Sequence, residues 1–566
     1  MKWQTLAELD TEALGRAADL YKSLSSAGDR GKDELNRNVA PGIRGKLAGR
    51  AANAALRQVG QLADNFHYMQ GQTGLIRTNI DLLQEILCKA KTKLNQTLQE
   101  AKREGFTVES DGSVSYSSAV TEDDDESKPY GSTTNGADIK KMRAREIAQE
   151  IFDAVEQATE ADKTYARVLR RLKADDELHV SSGDWNDTAA DAEASRKAAA
   201  KTGPDLPHPP EGRSPKENKR WWDLLDDEER DHYLALYPAE IGALDGLPAD
   251  IRDEANRAEL ATTEGRYETE LNQLLTEKPS GWKDRRNHIN ETLKGIEAIE
   301  SRFDRTGIKE LPSAYLLGFD PKGRGDGRII LANGNPDTAD HTAIHVPGTT
   351  AKLSTIDGDL HRMDRLWRHS AKAAGRDASV STITWLDYDA PDISPGHNPT
   401  RGKFADEGAE PLRGFTEGTQ AAQGGPDASH TTVSGHSYGS AVVGEAAKGH
   451  HLAADDIMFQ GSPGVHVRRA EDLGVGADHV WAVAADNTVD DTMVRQGGRA
   501  FHGGGPDRAI PTDTRFGGNV MDYGPWRGPM GHGKFWDEKP DGDPTVSLYN
   551  MAQVVAGDYT NVTLKQ

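Results

Sequence analysis

Past residue 306 the apolar residues stop recurring at helical spacing and gather in short runs: Arg328–Ala332, Thr342–Val346, Val380–Leu386, His430–Ser434, Ile457–Gln460 and His479–Ala485. Each run is too brief for a helix, and helix-like segments such as 354–374 and 438–449 lie between them. Short strands alternating with helices predict an α/β domain, a mostly parallel sheet with helices on both faces. That expectation holds for 306–566 and for no earlier part of the chain.

Before 306 the texture is helical. Leu75, Ile76, Ile80, Leu83, Ile86, Leu87, Ala90, Leu94 and Leu98 recur by three and four, as one face of a helix requires. Gly71 and Gly74 interrupt that stripe and predict a helix–helix turn. At roughly 100–200 residues per domain, the 566 residues suggest several folding units. The expected order is a helical hairpin or bundle over 1–107, an acidic linker over 108–137 and a long helix over 138–176. A proline-rich linker over 177–218, a helical lead-in over 219–305 and the α/β domain over 306–566 complete it. The linkers are read from the acidic run Glu122–Glu126 and from the prolines between Pro204 and Pro215.

Charge narrows the partners. With 68 Lys and Arg against 91 Asp and Glu, the formal net charge is −23, which repels phosphate backbones and argues against nucleic acid. No apolar stretch is long enough for a transmembrane segment, and the N-terminus lacks the apolar core of a standard signal peptide. The expected location is therefore the cytoplasm, or export by a route without such a peptide. Cys88 stands alone, so neither an internal disulfide nor a thiolate cluster is expected.

The chemistry concentrates at Gly435-His436-Ser437-Tyr438-Gly439, between the strand His430–Ser434 and a helix opening at Ser440. A nucleophile on so sharp a turn leaves no room for side chains two residues to either side, hence the two glycines. A serine needs a base, and the base needs an orienting acid. In the order serine, acid, histidine, the acid expected is Asp486, directly past the strand His479–Ala485, with Asp490 and Asp491 as alternatives. His502 and His532 both qualify by position as the base. The oxyanion donors expected are the N–H of Tyr438 and that of Gly348 or Thr349, since Pro347 has none. His341 and His345, four apart, lack a convincing third ligand, so no metal and no organic cofactor is implied.

At these residues the sequence resembles an actinobacterial alpha/beta-hydrolase family that carries a hydrolase domain behind a helical N-terminal region. The resemblance runs from about 219 to 556. It rests on Trp221-Trp222, the segment Gly246–Arg257, Ala314–Asp320, Asn335–His341, Val346–Thr349, Trp385–Pro391, Gly435–Ser440, Gly461–Val465 and Val480–Ala482. It implies an α/β-hydrolase fold and a serine hydrolase acting on a small-molecule or lipid ester. The family's Gly-His-x-x-aromatic setting matches Gly531-His532-Gly533-Lys534-Phe535, so the resemblance selects His532 over His502. Where the family often reads Gly-Asp-Pro, this chain has Ala485-Asp486-Asn487. Residues 1–172 are similar in style to the N-terminal modules of type VII secretion substrates. That likeness implies a secretion-system or helical partner, and with it an alternative in which the hydrolase domain is cargo or an inactive scaffold.

Overall fold

The computed structural model describes residues 1–117, 136–172, 179–203, 206–323, 326–392, 394, 397–449, 452–485, 488–525 and 530–566. They divide into two units. The first comprises Met1–Arg30, Phe66–Leu178 and Asp187–His208, and the second Gly31–Asn65, His179–Asn186 and Pro209–Gln566.

Helices α1 (Trp3–Glu8), α2 (Thr11–Glu34), α3 (Ala40–Lys46) and α4 (Arg50–Arg103) open the chain. The expected turn at Gly71 and Gly74 is absent, because α4 runs straight through both. An interior glycine costs a helix only about 1 kcal/mol relative to alanine. Against that, Leu75, Leu82, Leu87 and Leu94 are buried on one stripe, each worth about 1.5–3 kcal/mol. A short antiparallel hairpin follows, β1 (Phe106–Val108) with β2 (Val114–Tyr116). It occupies the start of the expected acidic linker, whose run Glu122–Glu126 lies outside the described residues.

Helix α5 (Gly136–Leu169) buries Ile147, Ile151, Ala158 and Tyr165 within the first unit. Helix α6 (Ser182–Thr202) corrects the expected linker over 177–218. Its tract from Ala189 to Ala200 is rich in alanine, the best helix former, and the prolines begin only at Pro204. Buried hydrogen bonds at 2.8 Å from Asn79 to Ser195 and from Gln72 to Thr188 secure the part of α6 past Asn186 inside that unit.

Ahead of the sheet the second unit carries α7 (Pro215–Leu224), α8 (Asp227–Leu236), α9 (Pro238–Ala243), α10 (Ala249–Glu277) and α11 (Trp282–Asp304). The sheet follows with β3 (Ala314–Asp320), β4 (Arg328–Asn333), β5 (His341–Val346) and, after α12 (Asp357–Ala374), β6 (Val380–Leu386). Then come α13 (Lys403–Gln423), β7 (His430–His436), α14 (Gly439–Ala447), β8 (Asp456–Gln460) and β9 (Val480–Val483). Helix α15 (Val489–His502), β10 (Asn519–Met521) and α16 (Val546–Val555) end the domain.

Among the described residues, eight strands form one sheet in the order β10-β9-β8-β7-β5-β6-β4-β3. From β10 to β6 all neighbours pair in parallel, and β4 and β3 add an antiparallel edge. Both faces of the sheet are covered. Ile457, Phe459, Val480 and Ala482 join the core that α13 and α14 build with Leu412, Phe415 and Val442. Met458, Trp481 and Val483, which alternate with them, face Met363 of α12 and Met551 of α16. The chain leaves β5 for β6 on one side and returns to β7 on the other, so β5 and β7 flank a topological switch point. Ligand crevices in such sheets open beyond the carboxyl ends of the strands at that point.

Candidate active site

Ser437 sits in that crevice, directly after β7. Its φ is +51°, a left-handed conformation that costs a residue with a Cβ roughly 1–2 kcal/mol. The neighbours hold it there: Ser437 N–H donates to Gln460 O of β8 at 2.9 Å, and Ser440 N–H returns to Ser437 O at 3.1 Å. A Cβ at Gly435 would lie 2.6 Å from Ser440 Cα, and one at Gly439 would lie 2.2 Å from Val346 O. Both flanking glycines are therefore required by close approach, as the sequence pattern implied.

The turn after β5 presses against the serine from the other side. A Cβ at Gly348 would lie 2.8 Å from Ser437 Cβ and 3.2 Å from Tyr438 N, so only a glycine brings this backbone so near. Tyr388 Oη donates to Pro347 O at 2.6 Å and fixes the turn. Within it, Thr350 N–H is committed to Pro391 O at 2.8 Å and Ala351 N–H to Gly348 O at 3.2 Å.

His532 lies across the crevice. Its Nδ1–H donates to Asp491 Oδ1 at 2.6 Å, and its Nε2 is buried without a hydrogen-bond partner among the described residues. Asp491 is completely buried, and its other oxygen accepts from Ala485 N–H at 2.9 Å and Arg495 Nε at 3.0 Å. The adjacent Asp490 accepts from the backbone N–H groups of Gly531 at 3.1 Å and His532 at 2.9 Å. Burial pushes the Asp490 carboxyl up, but these donors outweigh it and hold it below the usual carboxylate range. Gly461, with φ +57°, allows the pair to sit so deep, because a Cβ there would lie 2.7 Å from His532 Nδ1 and 2.8 Å from Asp491 Oδ1.

Ser437, Tyr438, Gly348, Thr349 and His532 all line one cavity of about 700 Å³. Of the expected site residues, Asp486 lies outside the described residues. The carboxylate on the histidine belongs to Asp491, one of the two alternatives. Strand β9 ends at Val483, and the acid sits on the first turn of α15, where the helix dipole favours an anion.

His502 also lines the cavity, as the buried last residue of α15. Its Nε2–H donates to Pro399 O at 2.7 Å, and its Nδ1 meets His466 Nε2 at 2.8 Å. Burial lowers its pKa to about 4. With both nitrogens engaged it is not poised toward the serine.

The glycine motif by itself gives His436 no role. Its Nε2–H donates to His532 O at 2.9 Å, and its ring packs on Trp536 with centroids 5.1 Å apart. Burial first, then the nearby His532 and Arg362, holds its pKa well below the ordinary value, so it stays neutral. Its place in the second position of the motif was the available signal. His341 and His345 do not converge, since four residues along a strand span about 13 Å. His345 is buried, with Nδ1 3.2 Å from Ser434 Oγ.

Among the described residues, no helix is long and apolar enough to cross a membrane. Uncharacterized protein Rv2079 of Mycobacterium tuberculosis strain H37Rv is 32% identical over 300 residues, 49% of this chain and 44% of its own length. Uncharacterized protein MT2140 of strain CDC 1551 matches with the same figures. Uncharacterized protein Mb0988c of Mycobacterium bovis is 29% identical over 230 residues, 38% of this chain and 82% of its own length. The chain thus spans less than half the length of the first two relatives. No solved structure matches significantly. Residues 320–496 match the family model described as alpha/beta hydrolase, a shorter span than the 219–556 expected. With the mostly parallel sheet and its covering helices, that match identifies the fold of this region as that of an α/β hydrolase.

Proposed function

We propose that the domain is a serine acyl hydrolase that cleaves carboxylic esters through an acyl-enzyme. Ser437 Oγ attacks the acyl carbon while its proton passes to His532 Nε2. Asp491 holds Nδ1–H, which fixes the tautomer that leaves Nε2 free to accept and stabilises the imidazolium that forms. The tetrahedral oxyanion is met by the N–H of Tyr438 and by that of Gly348 or Thr349, the turn donors not committed at Thr350 and Ala351. Collapse of the intermediate breaks the bond to the alcohol, which leaves with the proton from His532. Water then repeats the sequence on the acyl-serine and releases the acid.

The observation that carries this reading is the unpartnered, buried Nε2 of His532 in the wall of the cavity that also holds Ser437. A buried nitrogen without a partner costs free energy unless a reacting group uses it. In resting sites the bond to the nucleophile often tightens only when substrate arrives.

A fluorophosphonate probe tests the assignment, since it labels only an activated serine. Wild type should be labelled once, at Ser437. Ser437→Ala should lose labelling, and its turnover of p-nitrophenyl acetate should fall by on the order of 10⁴–10⁶ with unchanged circular dichroism. Wild-type turnover in that variant would exclude the mechanism.

A further inference from the structure

Helix α15 forms one wall of the cavity, through Met493, Val494, Gly497, Gly498 and Phe501. The two glycines differ. At Gly498 a Cβ would lie 2.2 Å from Pro463 Cβ, so packing requires a glycine. At Gly497 a Cβ would meet nothing within 4 Å, and the residue lies inside the helix with no positive φ. Neither sterics nor backbone conformation explains a glycine there, and a bare position inside a helix weakens it. What the absent side chain leaves is space, and that space opens into the cavity.

Met493 and Phe501 stand one turn before and one turn after Gly497, on the same face. They are 69% and 56% exposed, and both line the cavity. Together they form the two sides of an apolar notch whose floor is the backbone of Gly497. The charged pair in the cavity lies on α12, where Arg362 and Asp359 hold each other at 2.6 Å.

We infer that this notch receives the linear hydrocarbon chain of the ester whose carbonyl is presented to Ser437. The inference rests on the acyl-hydrolase reading and deepens it by naming the substrate class. Met493 and Phe501, eight residues apart, stand about 12 Å apart along the helix axis, room for an unbranched chain between them, and an adaptable thioether at Met493 suits chains of varied length. A cavity of about 700 Å³ is large enough to enclose most of such a substrate. The chain can belong to the acyl group or to the alcohol.

The test compares two ester series on the full chain: p-nitrophenyl esters from acetate to dodecanoate, and alkyl acetates from methyl to dodecyl. Wild-type kcat/KM should rise at least tenfold with chain length in one series. In Gly497→Leu the ratio of longest to shortest substrate should fall at least tenfold in that series. A fall in the first series places the chain on the acyl side, and a fall in the second on the alcohol side. Should Gly497→Leu not fold, Met493→Ser and Phe501→Ser, at exposed positions, should lower the same ratio. Binding is read separately in Ser437→Ala, where affinity for cis-parinaric acid should drop at least tenfold on adding Gly497→Leu. Ester hydrolysis with chain-length profiles that no variant alters would overturn the notch and leave the hydrolase reading standing. No hydrolysis by wild type, but binding that Gly497→Leu weakens, would overturn the hydrolase reading and keep the notch.

Discussion

Two adjacent aspartates at the start of α15 divide the task of presenting one histidine. Asp491 holds the ring through Nδ1, and Asp490 holds the backbone through the N–H groups of Gly531 and His532. The consequences of losing them differ in kind. In Asp491→Asn the amide can donate to Nδ1 and favour the wrong tautomer, so kcat should fall by on the order of 10⁴. Asp490→Asn keeps the ring's partner and loosens only its mounting, so the loss should be nearer 10²-fold. Steady-state kinetics on p-nitrophenyl acetate distinguishes the two, and equal losses would contradict the division. The sequence announced Ser437 because its neighbours must be glycine, a constraint that survives in the letters. It announced Asp491 less clearly, because an acid may stand anywhere that the chain returns to the histidine. The reading placed it at the strand end, whereas β9 stops at Val483 and the helix supplies the carboxylate.

Helices and strands were legible wherever apolar spacing alone decides them, as in β7 and α14 around the serine. They were less legible where one residue type suggested a break. Gly71 and Gly74 promised a turn that the buried stripe of α4 overrides, and the prolines after Pro204 masked the alanine-rich α6. Nothing in the spacing revealed that α10 and α11 bring Glu264 and Glu300 together, where Glu300 donates a hydrogen bond to Glu264. Burial first, and then repulsion from Glu268, pushes Glu264 up to about 7; burial first, and then repulsion from Glu264 and Asp64, pushes Glu300 up to about 8. The pair titrates as a unit. Its folded pKa values lie above the unfolded value of about 4.3, so between those limits the folded chain binds more protons than the unfolded one. Stability from this pair is fully present below about pH 4 and is lost as pH rises toward 8. The melting temperature should therefore decline from about pH 5 to 8, and Glu300→Gln should flatten the decline and melt higher at pH 8. Differential scanning fluorimetry at fixed ionic strength reads both, and a variant melting lower than wild type at pH 8 would refute the pairing.

At the scale of the whole molecule, the division of the chain into units does not follow its order. The sequence reading set a boundary at 219 because prolines and charge separate what precedes it, yet residues 31–65 and 179–186 belong to the second unit. Contacts of these segments fall on α10, on α11 and on the turn just past α11. A Cβ at Gly265 would lie 2.6 Å from both Ser182 O and Trp185 Cβ, and one at Gly307 would lie 2.6 Å from Pro41 Cβ. Ser182 donates to Glu268, and Arg44 meets Asp304 at 2.5 Å. No composition signal marks such segments, because a few small or half-buried side chains suffice to seat them. The cavity and the triad geometry lie wholly past residue 306, so a fragment from Pro209 to Gln566 should still be labelled by a fluorophosphonate at Ser437. It should also melt several degrees lower than the full chain. Losing a few kcal/mol of packing shifts a domain of this class by about 2–4 °C per kcal/mol. The exposed pair of Arg44 with Asp304 contributes little of that, since such pairs are worth at most about 1 kcal/mol. Restoring residues 31–65 and 179–186, in the full chain carrying Pro41→Gly or Trp185→Ala, divides the loss between the two segments. A fragment that melts with the full chain would mean that the packing at Gly265 and Gly307 is worth nothing. A fragment that neither folds nor labels would mean that α10 and α11 cannot hold the sheet without it.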